Sequence, residues 1–187
     1  MGKVISIYGP AAAGKTTQAV KIKEKYNLCQ FSMGDTLRDI INSGSELGKK
    51  LKYQVENGIL IDDELMIQVL HEVPELAKQG IVFDGFPRML SQAKMLEEVL
   101  QGSGAQLEKV FLLKLSEDDV MRRIAARSQV EQRIDDLDPK AVAKRIAIFN
   151  QESQGLIDLY RQQGILVEID GALSIEEVFA EICRHLD

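Results

Sequence analysis

The chain has 187 residues, 45% hydrophobic and 28% charged, which suits one globular α/β domain with small insertions and excludes a disordered chain. A formal net charge of −6 excludes a broad basic surface for nucleic acid backbones, so no nucleic acid partner is expected and positive charge for a phosphorylated ligand must be gathered locally. No stretch approaches the roughly 18 apolar residues of a membrane span. The opening apolar run, broken by Gly9 and Pro10, is too short for a signal-peptide core, so no membrane partner and a cytoplasmic location are expected.

In chain order, short apolar runs at 4–8, 29–31, 81–83, 110–115 and 165–169 alternate with longer amphipathic stretches. That alternation predicts five parallel strands with crossover helices flanking the sheet. Residues 32–61, punctuated by Gly34, Gly44, Gly48 and Gly58, have no strand pattern and read as a helical insertion over the sheet edge; 62–77 reads as one helix. Ser116 with Asp119, Asp138 before Pro139, and Ser174 with Glu177 mark three later helix starts, each placing an oxygen acceptor near unpaired N–H groups. Cys29 and Cys183 lie far apart without a Cys-x-x-Cys pair, and together with His71 and His185 read as structural residues.

The first strand runs into Gly9-Pro10-Ala11-Ala12-Ala13-Gly14-Lys15-Thr16, a match to G-x-x-x-x-G-K-[ST] with a helix-compatible stretch after it. Such a loop wraps backbone N–H groups around phosphate oxygens at the positive end of a helix dipole, with the lysine on the outer phosphates and the Thr16 hydroxyl near Mg²⁺. The third strand delivers Asp84 at its carboxyl end, where P-loop folds hold the metal. Arg123 and Arg127 stand four apart on one helix face, a slight repulsion that a bound polyphosphate would turn into a contact. Arg145 follows Val142 by three and precedes Phe149 by four, at the border of an apolar face.

With Ser32-Met33-Gly34-Asp35-Thr36-Leu37-Arg38, then Asp84-Gly85-Phe86-Pro87-Arg88 and Gln92, then Arg133-Ile134-Asp135-Asp136, Arg145 and Asp170-Gly171, the chain resembles the adenylate kinase family nearly end to end. The resemblance implies a P-loop fold with a five-stranded parallel sheet, one kinase domain over 1–187 with an NMP-binding insertion at 32–61 and a short lid at 127–134. It implies a Mg²⁺-dependent phosphotransferase acting on ATP and AMP, without zinc. With no obvious association segment in the sequence, a monomer is the default expectation. Gly9, Ala11, Ala12, Ala13, Gly14, Lys15, Thr16 and Thr17 would hold the donor phosphates, with Arg123, Arg127 and Leu173 also on ATP. Met33, Arg38, Ile59, Leu60, Ile61, Gly85, Phe86, Pro87, Arg88 and Gln92 would form the AMP pocket, shared by Arg133 and Arg145. Lys15, Arg88, Arg127, Arg133 and Arg145 would serve catalysis, and Thr16, Asp35 and Asp84 the metal, the two Asp through water.

Two departures from the family pattern matter chemically. Ala12 and Thr16 replace loop glycines, and Ala12 is disfavoured wherever its φ must be positive. Met33 stands where AMP-specific relatives carry a Thr, which keeps a pyrimidine monophosphate kinase open as the alternative acceptor class. A nucleotide-dependent switch or assembly factor is the alternative of another kind. A guanine-reading switch calls for Asn/Thr-Lys-x-Asp, which the sequence lacks, and Pro87 breaks Asp-x-x-Gly after Asp84.

Overall fold

The computed structural model describes residues 2–56, 61–71, 73–131 and 139–187. Strands β1 (Val4–Tyr8), β2 (Cys29–Ser32), β3 (Ile81–Asp84), β4 (Lys109–Lys114) and β5 (Leu166–Asp170) form one parallel sheet in the order β2-β3-β1-β4-β5. The strand ends differ by about a residue from the sequence expectation, as frayed ends do. Each side chain of β1 and β3 is buried, because both faces of the sheet are covered.

Alternation along the strands sorts the core into layers. Ile5, Ile7, Val82, Phe111 and Leu113 face one side, against Ala19 and Ile22 of α1 (Lys15–Tyr26) and Val178 and Ile182 of α9 (Ile175–Arg184). On the other side Ile81 and Phe83 meet α5 (Val73–Gln79) and α6 (Leu90–Gly102). Tyr8, Val110 and Leu112 meet Leu156 and Tyr160 of α8 (Pro139–Gln162), and the Tyr8 and Phe149 rings lie 5.3 Å apart.

Between β2 and β3 run α2 (Met33–Asn42), α3 (Glu46–Glu56) and α4 (Asp63–Val69), followed by α5. The first starts where Ser32 Oγ accepts from the Asp35 backbone N–H at 3.4 Å. Met33, Leu37 and Leu51 are buried with Phe31, Phe83 and Phe86, so these helices share the core of the sheet edge. The single helix expected over 62–77 is instead two, because Pro74 has no N–H to give and its ring collides with the carbonyl four residues back. The Val73 N–H accordingly bonds to the Leu70 carbonyl at 3.0 Å.

After β4 comes α7 (Glu117–Glu131), started by Ser116, whose Oγ accepts from Asp119 N at 3.1 Å. Expected site residues Ile59, Leu60 and Arg133, the Asp138 cap, and 132–134 of the expected lid lie outside the described residues. Among the described residues no helix is long and apolar enough to cross a membrane.

Candidate active site

The site lies at the carboxyl ends of β1 and β3, the place where open parallel sheets leave a crevice. Leaving β1, the chain turns through residues 9–14 into α1, whose N-cap Gly14 has φ 90°. Lys15 Nζ donates to the Gly9 carbonyl at 3.0 Å and the Pro10 carbonyl at 2.6 Å, folded over its own loop. Ala12 sits at φ 58°, the left-handed conformation that costs an alanine about 1–2 kcal/mol. Its methyl packs with Ala11 against Val120, Ile124 and Val142, which recovers part of that cost and ties the loop to α7 and α8.

β3 pairs with β1 so that Asp84 lies beside Ile7. Asp84 is buried, and its Oδ2 accepts from Thr16 Oγ1 at 2.6 Å. The next turn is tied to the sheet: Gly85 N–H donates to the Ile7 carbonyl at 3.0 Å and Ser6 Oγ donates to the Phe86 carbonyl at 2.7 Å. Gly85 has φ 70°, and a Cβ there would lie 3.4 Å from Lys15 Cε and 3.6 Å from Arg88 Nη2. These are ordinary contact distances, so it is the positive φ that calls for glycine here.

Arg88 is held by Nε donating to the Gly85 carbonyl at 2.8 Å, while its backbone N–H donates to Gln92 Oε1 at 2.8 Å. Gln92 is buried on the inner face of α6, with Nε2 as its remaining donor group. Burial, followed by the nearby Arg88 guanidinium, lowers the Lys15 pKa to about 7; Asp84 opposes the shift, while Arg145 and Arg127 add to it. Asp84, Arg88, Arg127 and Arg145 thus all lie near enough to act on the Lys15 charge.

Arg38 stands apart from that group, bonded through Nη2 to Asp35 Oδ1 on the exposed first turns of α2. Arg123 also stands apart, donating through Nη2 to the Gly171 carbonyl at 2.9 Å, on the turn that carries the exposed side chains of Leu173 and Ile175. Met33 is buried in the core, only 2% exposed, with no polar side-chain group to read a base. Ile61 is half-buried and packs on the same core cluster.

Sequence reasoning passed over Gln18. It is 2% exposed and lies four residues before Ile22 on the buried face of α1, so a polar residue on an apolar helical stripe was the available signal.

The adenylate kinase family model matches residues 7–165, which spans the loop, the Asp84 turn and the whole arginine set. The chain belongs to the adenylate kinase family. It is 40% identical over 178 residues to the adenylate kinase of Caulobacter sp. (strain K31), covering 94% of each chain. Identity to the adenylate kinase of Bacteroides thetaiotaomicron is 37% over 185 residues, covering 98% of this chain and 97% of that one. For the adenylate kinase of Thermus thermophilus it is 35% over 182 residues, covering 97% and 96%. Family membership makes the chain a nucleoside monophosphate kinase, an enzyme that moves a phosphoryl group between nucleotides.

Proposed function

We propose that the chain catalyses ATP + AMP ⇌ 2 ADP, with Mg²⁺ on the donor. The observation that supports this reading is that Arg88, Arg127 and Arg145 all act on the charge of the part-buried Lys15, a gathering of cations that suits phosphate oxygens. Residues 9–17, except Pro10, hold the donor's phosphates, and Lys15 exchanges the Gly9 and Pro10 carbonyls for the outer phosphate oxygens. Arg123 and the turn carrying Leu173 hold the donor base, which is supported by the Arg123 bond to Gly171.

The acceptor enters opposite, its α-phosphate clamped by Arg38 and Arg88 against the turn 85–88, with Met33 and residues 59–61 lining the base pocket. Gln92 commits its oxygen to Arg88 and presents an amide donor, which suits the unprotonated ring nitrogen of adenine and not the N–H at that place in guanine. Arg88, Arg127, Arg133 and Arg145 surround the moving group, since phosphoryl transfer asks mainly for positioning and charge neutralisation. Guanidinium forks match phosphate oxygens better than ammonium groups do.

Thr16 Oγ1 and Asp84 Oδ2 meet 2.6 Å apart, a pair of hard oxygen donors that fits Mg²⁺. Among the described residues no group of three or more His, Cys, Asp and Glu is placed to hold a metal by itself, in keeping with an ion that takes its other ligands from phosphates and water. Thr16 would hold it, Asp84 and Asp35 would reach it through water, and when bound it would neutralise charge on the donor's outer phosphates.

We also read 32–61 as the acceptor-binding insertion and 127–134 as a short lid on a single domain. A monomer and a cytoplasmic location are part of the same proposal; the thiols of Cys29 and Cys183, free of a disulfide, suit a reducing compartment.

An acceptor panel of AMP, CMP, UMP, dAMP and GMP with ATP and Mg²⁺ tests the proposal. AMP should give the highest kcat/KM, EDTA should abolish turnover, and Gln92→Ala should raise the AMP KM and narrow the preference. Preference for CMP or UMP would make this a pyrimidine kinase. ATP binding without phosphorylation of any acceptor would make it a switch.

A further inference from the structure

Gln18 belongs to neither the phosphate loop nor the arginine set, yet it is among the few buried polar side chains, 2% exposed. It lies in the first turn of α1, where its backbone N–H donates to the Gly14 carbonyl at 3.1 Å. Its side chain leaves α1 altogether: Nε2 donates to the Ile175 carbonyl at 2.9 Å, 157 residues away in sequence. Ile175 opens α9 and ends the turn that begins at Gly171. The same turn is fixed at its other end by Gly171 N–H donating to the Lys114 carbonyl at 2.7 Å and by Arg123 on the Gly171 carbonyl at 2.9 Å.

Energetics set Gln18 apart from an ordinary structural amide. Its Oε1 is buried with no hydrogen-bond partner among the described residues, and an orphaned buried acceptor costs stability. The Ile175 carbonyl also serves the α9 ladder, since a helical C=O accepts from the N–H four residues on, so it does not need Gln18 to be satisfied. The ion pair between α1 and this end of α9, Lys21 to Glu176 at 2.8 Å, has Glu176 largely exposed and is of the kind that contributes little. The amide therefore costs the fold something and supplies geometry: it sets the 171–175 turn against the helix that carries the donor phosphates.

We propose that Gln18 is a positioning residue for the donor base, fixing the distance between the phosphate loop and the turn that grips adenine. The proposal rests on the donor site described above. With Gln18 in place, base and phosphates of one ATP are held in register; without it, each half still binds but the two no longer fit one ligand optimally.

The test compares ATP with inorganic triphosphate, which has the phosphates and no base, on Gln18→Met and Gln18→Leu in the presence of Mg²⁺. The Kd for ATP should rise about fivefold to tenfold, the weight of one hydrogen bond, while the Kd for triphosphate stays unchanged. Thermal stability should stay level or increase as the orphaned oxygen is removed. Parallel weakening of both ligands, a fall in Tm, or an unchanged ATP Kd would each overturn the proposal. Arg123→Ala distinguishes a failure of Gln18 from a failure of the donor-base site. If it erases the advantage of ATP over triphosphate while Gln18→Met does not, only the role of Gln18 fails; if neither variant does, the donor-base assignment fails with it.

Discussion

Lys15 is charged in water but sits among cations with its ammonium turned onto two carbonyls, and its pKa is lowered to about 7 by burial and Arg88. Between about pH 7 and the ordinary lysine range the empty site therefore holds a neutral amine. A polyphosphate stabilises the protonated form, so ATP binding must take up a proton in that window and not below it. At pH 8 the γ-phosphate is already ionised. Calorimetry in buffers of different ionisation enthalpy should then show about one proton taken up per ATP. Lys15→Met should lose that uptake and reduce turnover by orders of magnitude with the fold intact. Zero uptake by the wild type at pH 8 would mean that Lys15 is already protonated before ATP binds, against the lowered pKa. The phosphate loop and Asp84 are legible in the sequence because motif spacing and strand placement carry them, and the arginine set because the chain resembles a family whose motifs contain it. The Gln92 contact to Arg88 N–H and the orphaned oxygen of Gln18 are not, because both depend on side-chain direction inside a packed helix.

Among the elements, α9 has the best-defined start: Ser174 Oγ accepts from Glu177 N–H at 3.3 Å and the Glu177 carboxylate accepts from Ser174 N–H at 3.0 Å. This box was legible in Ser174 and Glu177, three apart, before an apolar run. Ser174→Ala should cost about 1 kcal/mol of stability at neutral pH. The Ser174 hydroxyl and its backbone N–H hold the Glu177 pKa below its usual value. A carboxylate with a depressed folded-state pKa contributes stability that is present above the unfolded pKa and lost as pH falls through the folded one. The difference in denaturant midpoint between wild type and Ser174→Ala should therefore narrow below about pH 4. A constant difference from pH 7 to pH 3 would mean that Glu177 does not stabilise this end. The helix break at Pro74 shows the opposite case, where apolar periodicity over 62–77 continued through a residue that cannot continue a helix.

At the scale of the whole molecule, the strands were visible as apolar runs but their order was not. Pairing β3 beside β1, 81 with 4 and 84 with 7, is a contact between distant segments that leaves no trace in local periodicity. That order makes the site, since it puts Asp84 against Thr16 and the Gly85 turn against Lys15. Packing of Ala11 and Ala12 on α7 and α8 then brings the helices bearing Arg127 and Arg145 to the same crevice. A fold arranged in this way should pass a phosphoryl group directly between two nucleotides, without releasing it to water. The measurement closest to that claim follows the label from γ-labelled ATP mixed with equimolar unlabelled AMP and Mg²⁺. All label leaving ATP should appear in the β-phosphate of ADP derived from AMP, with two ADP formed per ATP consumed. Label in inorganic phosphate, or ATP bound and left unchanged beside AMP, would contradict the account.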